Sequence, residues 1–77
     1  MSGLPVVSGA KTVQALRRAG FQKPPGRRGQ RGSHVKLRHP TTGRTAIVPQ
    51  HPELAVGTLR SVLRQAGLTA EEFRQLL

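Results

Sequence analysis

Residues 33–48 constrain the fold more than any other stretch. Ser33 to His39 alternates, with Val35 and Leu37 pointing one way and His34, Lys36 and Arg38 the other. Pro40-Thr41-Thr42-Gly43 then reads as a hairpin turn. Arg44 to Val48 returns as a second strand, stopped by Pro49. A hairpin with one apolar and one cationic face covers the first and leaves the second open. The return strand can turn either Ala46 and Val48 or Thr45 and Ile47 inward, and its residues do not decide the register.

That cover must come from a short chain. With 77 residues, a single domain over 1–77 is expected. A chain of this size buries roughly 60% of its unfolded surface, so its core is small. There are no cysteines, which excludes a disulfide framework and a zinc–thiolate site. Helices are the available cover. Ser8 reads as an N-cap for Gly9 to Ala19, with Val13 and Leu16 on one face, Gly20 as the stop and Phe21 folding back. Leu59, Val62, Leu63 and Ala66 recur at helical spacing over about Thr58–Ala66, and Gly67 ends that helix. Thr69 and Glu72 form a capping box that opens a last short helix, with Phe73, Leu76 and Leu77 as its apolar side. Residues 22–32 hold two prolines and three glycines and read as a basic mobile loop. Helices on one face of an antiparallel sheet make an α+β, two-layer domain.

The charge is lopsided. The chain carries +10, and its first 44 residues hold ten Lys and Arg without one acid. The three glutamates, Glu53, Glu71 and Glu72, balance Arg60, Arg64 and Arg74 in the remainder. Such a field attracts polyanions, usually RNA or DNA backbones. An acidic protein or anionic lipid fits the electrostatics too, but no long amphipathic basic helix favours lipid. No apolar run approaches the ~20 residues of a membrane span, so a cytoplasmic setting is expected. With two Phe and neither Tyr nor Trp, an aromatic stacking platform is not expected.

Catalytic options are correspondingly few. Paired-carboxylate and two-metal chemistry need clustered acids, and the chain has no Asp. A site shared by His34, His39 and His51 is disfavoured, because His34 and His39 are five apart and fall on opposite strand faces. One histidine among cations suffices for one reaction. Beside an RNA phosphodiester it can take the proton of the 2′-hydroxyl or give one to the leaving 5′-oxygen. The ribose supplies the nucleophile, and neighbouring cations neutralise the developing charge. No metal or cofactor is needed. His34 suits this role, with Lys36 and Arg38 on its face and Arg31 just before it. A domain that only grips RNA would use the same cations.

Gly32-Ser33-His34, followed by Val35-Lys36-Leu37-Arg38-His39-Pro40, resembles the motif of the HicA (YcfA-like) family of toxin messenger-RNA interferases. Leu4 to Gly9 is similar to the opening of that family's first helix, Leu16 to Phe21 to its close, and Val48 to Pro52 to the end of its last strand. Gly57-Thr58-Leu59-Arg60-Ser61 to Leu68 resembles its second helix, and Glu71-Glu72-Phe73 its tail. The resemblance implies a fold like the double-stranded-RNA-binding domain, α-β-β-β-α. It implies messenger-RNA cleavage through His34, with no cofactor, and a HicB-type antitoxin that covers this histidine. The RNA-binding set is then Arg31, Gly32, Ser33, Lys36, Arg38 and Arg60. The chain departs from the pattern at residues 22–31, which are longer and contain Pro24-Pro25-Gly26. A first strand is expected to be confined to about Arg28–Gly32 or replaced by loop. The alternative function is a non-catalytic RNA-binding module or an inactive relic of the same fold.

Overall fold

A computed structural model describes residues 3–24 and 30–77. The elements run α1 (Gly9–Arg18), β1 (Gln30–Arg31), β2 (His34–Arg38), β3 (Thr45–Pro49), α2 (Val56–Ala66) and α3 (Ala70–Leu76). The strands form one antiparallel sheet in the order β1-β2-β3. The helices pack on one side of it, and the fold is α+β with the α-β-β-β-α order that the resemblance implies, followed by α3.

The caps read from the sequence are in place. The Ser8 hydroxyl accepts from the Lys11 N–H at 3.0 Å, while Arg17 and Arg18 complement the dipole in the last turn of α1. Thr69 and Glu72 bond reciprocally at the start of α3. Gly67 closes α2 in the left-handed region at φ +75°. Helix α2 begins two residues before the expected Thr58, on Ala55, whose side chain cannot cap.

The register of β3 is decided by burial. Ala46 and Val48 turn inward opposite Leu37 and Val35, and Ile47 faces out opposite Lys36. These inward residues meet Leu16 of α1, Leu59, Val62, Leu63 and Ala66 of α2, and Phe73 of α3. Two expectations about helix faces change. In α1 the buried positions are Gly9, Thr12, Ala15 and Leu16, and Val13 is half-buried; Thr12 tolerates full burial because its hydroxyl donates to the Ser8 carbonyl at 2.9 Å. Leu77 lies beyond the last turn of α3 and is exposed, leaving Phe73 as that helix's anchor. Val7 and Leu54 join the core from irregular segments that bond each other, Leu54 N–H to Val7 carbonyl at 2.8 Å.

The first strand is split. Gln22 pairs with Arg38 through two backbone bonds of 2.9 Å, and Arg31 pairs with His34. From Gln22 to Arg31 the chain takes nine steps, while the partners are four apart, so five residues exceed a continuous ladder. Gln22 and Gln30–Arg31 of the expected 22–32 loop are therefore in the sheet, and residues 25–29 lie outside the described residues. The strand expected within Arg28–Gly32 is Gln30–Arg31.

Candidate nucleic-acid interface

Gly32 and Ser33 form a two-residue turn between β1 and β2, and His34 is the first residue of β2. Gly32 has φ +56°, whereas no described non-glycine residue has a positive φ. Glycine first with an ordinary residue second is the pattern of a type II′ hairpin, whose twist suits the flanking strands. A Cβ on Gly32 would meet nothing within 4 Å. Backbone torsion, not space, demands the glycine, and a side chain there costs about 1–2 kcal/mol. Ser33 is exposed, its carbonyl accepts from the Gln50 N–H at 2.6 Å, and its hydroxyl bonds no other described residue.

His34 is held on two sides, opposite Arg31 in β1 and Pro49 in β3, and its side chain is exposed. Residues directly opposite across antiparallel strands share a face. The open face therefore carries His34 with Pro49, Lys36 with Ile47, and Arg38 with Thr45. The Arg38 guanidinium reaches over the β2–β3 turn, with Nη2 3.7 Å from where a Cβ on Gly43 would stand. Ile47 is 46% exposed beside Lys36, an apolar patch in the middle of a cationic face. Sequence reasoning missed Ile47 and Pro49 as members of this face. Their signal was the strand alternation, and it left two registers open.

Arg60 is not gathered there. It lies on the helical layer in a shallow groove of about 350 Å³ with Leu4, Leu63, Arg64, Leu68 and Ala70. Arg31 takes part through its backbone, directly across from His34. His39 has a different role. Its Nδ1 accepts from the Thr41 and Thr42 N–H groups at 3.1 and 3.2 Å, and its Nε2 lies 3.2 Å from the Ala19 carbonyl. The ring meets Phe21 edge-on at 5.2 Å. Both nitrogens are occupied in locking the turn onto the end of α1. Among the described residues no three His, Cys, Asp or Glu side chains gather as a ligand set.

Two of the three glutamates are used elsewhere. Glu71 bonds Arg74 at 3.0 Å, and Glu72 completes its capping box. An exposed imidazole with two cations on one rigid strand can bind a phosphodiester and exchange a proton with it. None of the described helices is long and apolar enough to cross a membrane.

A family model described as the HicA toxin of bacterial toxin–antitoxin systems matches residues 9–68. No curated protein matches the chain.

Proposed function

We propose, on the premise that the chain belongs to the HicA toxin family of bacterial toxin–antitoxin systems, that it is a cytoplasmic, metal-independent endoribonuclease that cleaves messenger RNA through His34. The observation that carries this reading is the exposed position of His34 at the start of β2, fixed by strands on both sides and followed on its face by Lys36 and Arg38. The 2′-hydroxyl of the substrate attacks the adjacent phosphorus, and His34 exchanges a proton at the reacting oxygens. Lys36, Arg38 and Arg31 hold phosphates and offset the negative charge that builds on the phosphorane. Gly32 and Ser33 let the RNA backbone approach the turn, and Arg60 contributes at most at a distance. No cofactor takes part.

The split of β1 bears on the inactive-relic reading. The hairpin of Arg31, Gly32, Ser33 and His34 is intact on the near side of the extra residues, which favours a working site.

The partner is a HicB-type antitoxin that covers His34. A face with two cations and an exposed isoleucine suits a partner surface of carboxylates around an apolar contact. Expression of the chain in bacteria tests the toxin reading. Growth arrest that His34→Ala relieves, and that an acidic partner encoded beside it also relieves, is the expected result. Arrest that persists in His34→Ala at equal protein level would contradict the role of His34.

A further inference from the structure

The β2–β3 ladder continues past its last strand pair. Gln50 N–H donates to the Ser33 carbonyl at 2.6 Å in the register of the His34–Pro49 pair. The carbonyls of Pro49 and His51 then both face the first residue of α1. Gly9 N–H donates to the His51 carbonyl at 2.9 Å, and a Cβ on Gly9 would stand 2.0 Å from the Pro49 oxygen. In extended chain residues two apart point the same way and share a face. Continued as extended chain from Pro49, His51 stands on the same face as Pro49 and His34, and it is exposed.

His34 and His51 are diagonal neighbours in this register, and such pairs lie about 7–8 Å apart. Gly32, in the turn just before His34, has no side chain and nothing within 4 Å of where one would stand. Two exposed imidazoles thus stand at the end of the sheet beside that turn. A phosphodiester undergoing in-line cleavage presents its attacking oxygen on one side and its leaving oxygen on the other, and each needs a proton carrier.

Building on the ribonuclease reading above, we infer that His51 is the second proton-transfer residue of the site. The neutral imidazole of the pair accepts the 2′-hydroxyl proton as the 2′-oxygen bonds to phosphorus. The bond from phosphorus to the 5′-oxygen breaks, and the protonated imidazole delivers its proton to that oxygen. The products are a 2′,3′-cyclic phosphate and a 5′-hydroxyl, and exchange with water resets the pair.

The test uses an unstructured oligoribonucleotide and its counterpart with sulfur in place of the bridging 5′-oxygen at a mapped cleavage bond. A thiolate leaves without a proton, so a variant lacking the acid is rescued on the sulfur substrate and a variant lacking the base is not. His51→Gln keeps the backbone carbonyl that Gly9 uses, and circular dichroism with thermal unfolding checks its fold. We expect His51→Gln to lose roughly 10²–10⁴-fold on the oxygen substrate, with sulfur rescuing one of His34→Gln and His51→Gln but not the other. A folded His51→Gln within about threefold of wild type, or rescue of both variants or neither, would overturn the inference. Failure of wild type to cleave would instead remove the ribonuclease reading and this inference with it.

Discussion

Two glycines at the starts of helices show how a single residue is fixed by its neighbours. Gly9 opens α1 where the helix meets the end of β3, and its Cβ would overlap the Pro49 carbonyl. Gly57 sits in the first turn of α2 with nothing within 4 Å. Alanine favours a helix over glycine by up to about 1 kcal/mol where there is room, whereas overpacking a close contact costs about 1–3 kcal/mol. Gly57→Ala should therefore raise the melting temperature and Gly9→Ala should lower it, each by several degrees on the scale of about 4–8 °C per kcal/mol for a domain of this size. Thermal unfolding by circular dichroism checks both, and equal shifts of one sign would contradict the close approach. Much at this scale was legible: Ser8, Thr69 and Glu72 cap because short polar side chains satisfy the N–H groups of a first turn. Leu54 and Thr12 were not legible. One is buried from a loop and the other through a bond to the backbone, and neither circumstance leaves a periodic mark.

At the scale of elements, the sheet rests on β2, which carries the catalytic candidate on one face and core residues on the other. Its hairpin with β3 was readable from alternation and the Pro-Thr-Thr-Gly turn. The inward set of β3 was not, because Thr45, Ala46, Ile47 and Val48 suit either register, and only packing against α2 selects one. The split of β1 leads to a quantitative expectation. Removing residues 24–28, five residues including both prolines, brings Lys23 to Gly29 and restores one continuous register from Gln22 to Arg31. Each ladder bond gained is worth about 0.5–1.5 kcal/mol. The deletion should keep the fold and raise the melting temperature, whereas removing four or six residues should lower it, because a one-residue slip reverses every side chain. If all three lengths behave alike, the register reading is wrong.

Across the whole molecule, the cations of the first 44 residues do not form a single surface. Lys36 and Arg38 line the open sheet, while Lys11, Arg17 and Arg18 lie on α1, where Arg18 bonds the Leu76 carbonyl at 2.7 Å and ties α1 to the end of α3. Charge counting pointed to a polyanion, but it could not tell which cations meet it. Arg60, expected in the RNA-binding set, lies on the helical layer. Binding of single-stranded RNA to the His34→Ala protein should weaken with salt at a log–log slope of about −0.7 per phosphate contacted, and Lys36→Ala should reduce that slope by about 0.7. Fluorescence anisotropy over a salt series measures it, and a slope unchanged by Lys36→Ala would place the RNA elsewhere. The fold and the family were legible because the Gly-Ser-His motif and the Gly57–Leu68 segment follow one another in the order and spacing of the family pattern. The company His34 keeps, Pro49 and Ile47, was not, because it depends on the register that packing decides.

Mapping the ends of cleaved RNA tests whether His34 carries the reaction. The purified chain and its His34→Ala variant are incubated with an end-labelled unstructured RNA in excess EDTA, and the product ends are identified. Cleavage by the wild type alone, leaving 2′,3′-cyclic phosphate and 5′-hydroxyl ends, is the result predicted. RNA bound but left uncut by both proteins, or cut equally by both, would contradict it.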